Sequence, residues 1–221
     1  EVYDATREAA IDGWSEAGYD DGAWKPAVEV PPDETTAYFG VRRDFGGLTS
    51  EHHYRDLALI GQIGENIRIV DTLTAQSVQE VRPGIYVYDM GQNMAGIPRI
   101  TIRGGRAGDH ITLRFAEVTY PDMEEYGDNV GMIMLENIRA ALSQDIYILK
   151  GGDEVIQPRF TFHGYRYIEI TGIDEALPLE AVQGQVLSSI HEVTADYETS
   201  NDRVNRLWRN IVWSQLGNFI S

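Results

Sequence analysis

The sequence predicts a mainly β fold: an antiparallel β-sandwich of jelly-roll type followed by one C-terminal α-helix. Three observations carry this expectation. Between residues 66 and 187, short runs alternate apolar and polar side chains, as strands with one buried face do. Glycines at Gly84, Gly104-Gly105 and Gly151-Gly152 punctuate those runs, and no helical period intervenes. After Ser200 the apolar spacing changes from two to three and four. Many short strands joined by glycine turns fold as two packed layers.

The elements follow in chain order. Residues 1–32 hold Trp14, Trp24 and the run Tyr19-Asp20-Asp21-Gly22, and they end at Pro31-Pro32. They read as turns and short extended pieces, too few to bury a core alone. Residues 33–60, with Gly40, Gly46, Gly47 and Ser50-Glu51-His52-His53, read mostly as loop. Strands are expected at 67–70, 77–81, 84–89, 97–103, 111–118, 145–149, 165–171 and 181–187. Residues 120–143 break the alternation and form a long excursion between strands. Such a loop on a rigid scaffold is either functional or disordered. Ser200-Asn201 then caps a helix whose Val204, Leu207, Trp208, Ile211 and Val212 share one face. That face needs a partner, either the sandwich or a further helical domain.

Composition limits the function. Against 35 Asp plus Glu there are 18 Lys plus Arg, a formal charge of -17. Nucleic acid and anionic membrane surfaces are therefore poor partners, because both demand clustered positive charge. A neutral sugar is compatible with this balance, although solubility explains it equally well. The chain lacks Cys, so disulfides, thiolate metal sites and cysteine nucleophiles are excluded. Nothing approaches the roughly 18 apolar residues of a membrane span, and no signal peptide is visible. An opening at Glu1 reads as an excised fragment, which leaves both a cytoplasmic and a secreted location open.

Several motifs carry chemistry elsewhere, and each has a plainer reading here. Gly91-Gln92-Asn93-Met94-Ala95-Gly96 lacks the Lys-Ser/Thr of a phosphate loop, so it reads as a turn or bulge. His52 and His53 are adjacent and would point apart on a strand. Asp20-Asp21, or Asp122, Glu124, Glu125 and Asp128, offer hard oxygen ligands for calcium but without EF-hand spacing, so solvated surface acids are the default. No other cofactor is expected. Glu117 at a strand end and Glu136 in the excursion are weak candidates for a glycosidase carboxyl pair. Tyr165 and Tyr167 fall on one face of a strand, with Phe160 and Phe162 before them, which suits a core more than a sugar platform.

At this point the residues resemble a known family. The run Gly84-Ile85-Tyr86-Val87-Tyr88-Asp89-Met90-Gly91-Gln92-Asn93-Met94-Ala95-Gly96 is similar to the signature of the sandwich domain in bacterial α-L-rhamnosidases. Further similar runs follow in family order: Arg114-Phe115-Ala116-Glu117-Val118, then Glu136-Asn137-Ile138-Arg139, then 145–152. Residues 158–167, including His163-Gly164-Tyr165-Arg166-Tyr167, are the most specific. Residues 200–201 and 210–219 resemble the first helix of the family's α/α-barrel, and Tyr3-Asp4-Ala5 with Tyr19-Asp20-Asp21-Gly22-Ala23-Trp24 resembles the tail of its N-terminal domain. The resemblance implies a concanavalin-like sandwich over 57–196, the tail of a preceding domain over 1–32, an unassigned loop over 33–56 and the first barrel helix over 197–221. It implies a parent enzyme that hydrolyses terminal α-L-rhamnose from glycosides or polysaccharides with inversion, using carboxyls in the barrel. The piece itself is then expected to be non-catalytic, with the barrel of the parent chain and a rhamnose-containing glycan as partners. Glu136, Asn137 and Arg139 are its candidate carbohydrate-binding residues. An autonomous lectin-like module and a purely structural domain remain as alternatives.

Overall fold

The computed structural model describes residues 1–29, 36–40, 49–53, 58, 60–139 and 141–220, with only the backbone for 36–40 and 49–53. The chain forms two compact units: Glu1–Asp12 with Gly64–Ser221, and Gly13–Ile63.

The smaller unit contains two strands, β2 (Thr36–Gly40) and β3 (Thr49–His53), paired antiparallel from Thr36↔His53 to Gly40↔Thr49. The expectation of loop over this stretch is corrected here. Thr36-Ala37-Tyr38-Phe39 favours strand locally, but runs this short show no alternation to read. Nearby, Asp20 Oδ1 accepts a hydrogen bond from the Gly22 amide at 3.0 Å, which fixes the Tyr19–Trp24 turn. Trp24 stacks on Trp14 and meets the edge of Tyr19.

The larger unit is a curled nine-stranded sheet of β1 (Val2–Asp4), β4 (Arg68–Thr74), β5 (Ser77–Arg82), β6 (Ile85–Gly105), β7 (His110–Ala116), β8 (Gln144–Ile148), β9 (Gly152–Ile156), β10 (His163–Thr171) and β11 (Val182–Ser188). The 21-residue β6 joins the two expected strands at 84–89 and 97–103 into one. Its first part pairs with β5 and β10, and its second part with β11 and β9. Two layers result. One runs β1-β8-β7-β10-β6-β5, and the other runs β9-β6-β11-β4. Inward residues of both layers, among them Leu113, Phe115, Tyr88, Ile168, Ile100, Val182 and Val186, form one core. Burial of this continuous apolar surface is what holds the layers face to face.

Two features depart from a plain antiparallel sandwich. First, β1 pairs parallel to β8, with Val2↔Ile146, so the sheet is mixed. Tyr3 stacks on Tyr147 and Ala5 is buried, so residues 1–12 belong to the sandwich unit rather than to a separate tail ending at 32. A three-residue strand is too short to carry a pattern in sequence. Second, between Met94↔Tyr165 and Asp89↔Tyr167, four β6 residues face one of β10. This bulge, opened by Gly91 at φ +77°, reverses the parity of β10. Tyr165 therefore points into the core and Tyr167 to the outer face, not to one shared face.

Helix α1 (Asp202–Asn218) starts as its cap residue requires, with the Asn201 side chain accepting from the Arg203 amide at 3.0 Å. It rests on β6 and β11, where Trp213 joins the core and Gly217 lies against Ala95. The stripe read from sequence is only partly used: Leu207 is 57% and Ile211 42% exposed.

Candidate functional site

β7 ends at Ala116, and the chain then leaves the sheet until β8. The excursion is ordered by its own backbone bonds. The Tyr120 amide donates to Met132 O at 2.9 Å, Gly131 donates to Tyr120 O at 3.0 Å, and Met134 donates to Val118 O at 3.0 Å. Ile133 plugs the excursion into the outer face of the sheet, against Val87 and Ala116. Arg82 of β5 ties down the far end by donating to Asp128 O at 2.9 Å.

Between this excursion and β7 lies an open cleft of about 580 Å³. Its floor is Met132, Ile133 and Leu135. Its polar walls are Arg114, Tyr120, Asn129, Glu136 and Arg139. Arg114 Nη1 donates to Glu169 Oε1 at 2.9 Å. Glu169 is fully buried, and its Oε2 has no hydrogen-bond partner. Tyr120 donates to Glu136 Oε1 at 3.1 Å, and this bond to a carboxylate raises the phenol pKa above its usual value. Arg139 ends the 3₁₀ turn Glu136–Ile138 in a left-handed conformation at φ 56°.

Of the candidate residues, Glu136 and Arg139 line the cleft, and Asn137 is exposed on the turn between them. Glu117 stands elsewhere, accepting from Asn93 at 3.0 Å beside the bulge, and shares no bonding partner with Glu136. The residues that sequence reading missed are Arg114, Tyr120 and Glu169. Arg114 and Glu169 are cross-strand neighbours, and only the β7–β10 register makes them so. Of the aromatic run, Tyr165 is core and Tyr167 lies under the Arg166 guanidinium, while Phe160 and Phe162 are exposed. Among the described residues, no group of three or more His, Asp or Glu is placed to hold a metal ion, so the calcium expectation finds no such cluster.

A second polar knot ties β8 to β10. Asp145 Oδ2 is 2.8 Å from His163 Nε2, and Oδ1 accepts from Thr161 and from the Glu1 amine. His163 stacks flat on Phe115 at 4.1 Å. Burial alone would raise the Asp145 pKa, but these hydrogen bonds outweigh it and hold the carboxyl below its ordinary value. An adjoining cavity of about 320 Å³ is walled by Tyr3, Tyr147, Ile156 and Pro158.

Residues 79–188 match the family model described as the bacterial alpha-L-rhamnosidase concanavalin-like domain. A curated alpha-L-rhamnosidase of Streptomyces avermitilis is 37% identical over 222 residues, covering 100% of this chain and 18% of its own length. The solved alpha-L-rhamnosidase from Dictyoglumus thermophilum superposes with a TM-score of 0.79 at 34% identity, over 100% of this chain and 21% of its own. The Streptomyces avermitilis enzyme, solved in complex with L-rhamnose, gives a TM-score of 0.72 at 34% identity, over 100% of this chain and 18% of its own. The chain thus spans about a fifth of the length of these relatives. With the mixed sandwich, the bulged β6 and the terminal helix in place, the chain belongs to the bacterial alpha-L-rhamnosidases, and residues 79–188 are their concanavalin-like domain.

Proposed function

We propose that this chain is the non-catalytic sandwich module of an enzyme that hydrolyses terminal α-L-rhamnose from glycosides or polysaccharides. Its work is to scaffold the helical catalytic barrel of the same enzyme, with residues 197–221 as the first helix of that barrel. The observation that carries this reading is the divided face of α1. Trp213 docks on the sandwich, while Leu207 and Ile211 project away from it. At about 25 cal/mol per Å² of apolar surface, covering two such side chains contributes on the order of 1–3 kcal/mol to a docked barrel. The catalytic carboxyls belong to that barrel. Glu136, Asn137 and Arg139 contribute contacts to the glycan from the side of the module.

The test introduces Leu207→Lys with Ile211→Lys in the 221-residue chain and in a full-length rhamnosidase carrying this module. The chain alone should keep its melting temperature to within a few degrees, because both side chains are already exposed. The full-length enzyme should lose thermal stability and hydrolysis of an aryl α-L-rhamnoside together. An unaffected full-length enzyme, or hydrolysis by the 221-residue chain alone, would overturn the reading.

A further inference from the structure

We propose that the cleft between β7 and the excursion is a subsite for a neutral pyranose. Arg114 and Arg139 donate to its hydroxyls, Glu136 accepts from one, and Tyr120 with Leu135 takes its C–H face. This rests on the reading that the turn at 136–139 meets a glycan, and it adds the ligand class and the residues that select it.

Three observations carry the proposal. The first is charge. The cleft and its support hold two guanidiniums, Arg114 and Arg139, and two carboxylates, Glu136 and Glu169. They cancel locally in a chain of net charge -17, so neither an anion nor a cation is favoured there. The second is the chemical mix. An apolar floor with a few convergent forked donors and acceptors suits a ligand with one C–H face and a hydroxyl edge. About 580 Å³ lies within the range of small-molecule sites. The third is preparation. Arg114 is held by a carboxylate that is 2% exposed, and Glu136 is held by Tyr120. The wall is braced by Arg82 and by the Tyr120–Met132 backbone bond. Side chains fixed before binding lose less freedom on binding. The Arg139 guanidinium makes no hydrogen bond or ion pair among the described residues, which leaves its donors for a ligand.

Glu169 is a positioning residue in this account. Its bond draws Arg114 across toward β10, and it touches no sugar itself.

The experiment titrates the 15N-labelled 221-residue chain with methyl α-L-rhamnopyranoside, methyl β-D-galactopyranoside and sodium D-galacturonate, following backbone amides and arginine Nε signals. At least one neutral glycoside should give saturable shifts grouped on residues 120 and 131–139, with a Kd on the order of 1 mM. Arg139→Ala, at an exposed position, and Tyr120→Ala should each weaken binding about tenfold, which corresponds to one charge-assisted contact or one ring face. Glu169→Gln should abolish the sugar response of the Arg114 Nε signal while that of Arg139 persists, whereas a merely destabilised variant would lose both. The subsite is overturned by silence toward both neutral glycosides, by tighter binding of galacturonate, or by shifts grouped away from the cleft. If the sugar arm fails while the α1 variants still cripple the full-length enzyme, the subsite falls and the scaffold reading stands. If sugar binds and the α1 variants do nothing, the reverse holds.

Discussion

Asp145 is taken out of water and kept charged by its neighbours. Its folded pKa lies below the unfolded value of about 3.9, so its ionised form is bound more favourably in the folded chain. For a depressed acid the stabilisation is complete above the unfolded pKa and disappears as pH falls through the folded one. Melting temperatures should thus lose this contribution only below about pH 4. Asp145→Asn keeps the shape but weakens the acceptor for His163 and Thr161, which should cost about 2 kcal/mol at pH 7. A variant as stable as the parent across denaturant melts at pH 3–7 would contradict this. The sequence offered Asp145 and His163 as residues of two separate runs. Their meeting depends on β7 lying between β8 and β10, which no local pattern encodes. Alternation put Tyr165 and Tyr167 on one face, but the bulge between them separates the two and leaves Tyr165 in the core and Tyr167 on the outer face.

Strands long enough to alternate were readable, and β7 and β11 show why. In β7, Ile111, Leu113 and Phe115 are buried in turn, and in β11 so are Val182 and Val186. β1, the β2–β3 pair and β9 were missed because their three to five residues, unlike those of β8, show no apolar–polar alternation to count. β6 was divided in two because its glycines read as a turn. Gly91 does bend the strand, yet Gly96 serves close approach: a Cβ there would collide with the Gln185 carbonyl of β11. Gly96→Ala should therefore part β6 from β11 and cost about 2 kcal/mol or more. Hydrogen exchange would locate the damage, with lost protection expected first in β11 and β4. Unchanged protection there would remove the steric argument. The α1 stripe was visible by period, but which residues dock is set by the curvature of β6 and β11 beneath it.

For the whole molecule, composition and alternation were enough for the fold class, because two layers around one core is the general solution for such a pattern. The cleft was not readable, because Arg114, Tyr120 and Arg139 converge only once the excursion folds back on the sheet. The opening dozen residues matter more than their sequence suggests. Tyr3 packs on the core, Ala5 is buried, and Glu8 joins Tyr3 OH to Lys150 Nζ at 2.8 and 2.6 Å. Deleting residues 1–12 should lower the melting temperature of the sandwich by several degrees and expose Tyr147, readable as a blue shift in tyrosine absorbance. An unchanged melt would mean that β1 is an ornament of the edge. β6 has a larger consequence. A ribbon that is the middle of one layer and then the middle of the other is a crease, whereas a loop between layers would be a hinge. Twist applied to either face must pass into its opposite through covalent backbone, so the slab can flex as a single plate but cannot gape like a book.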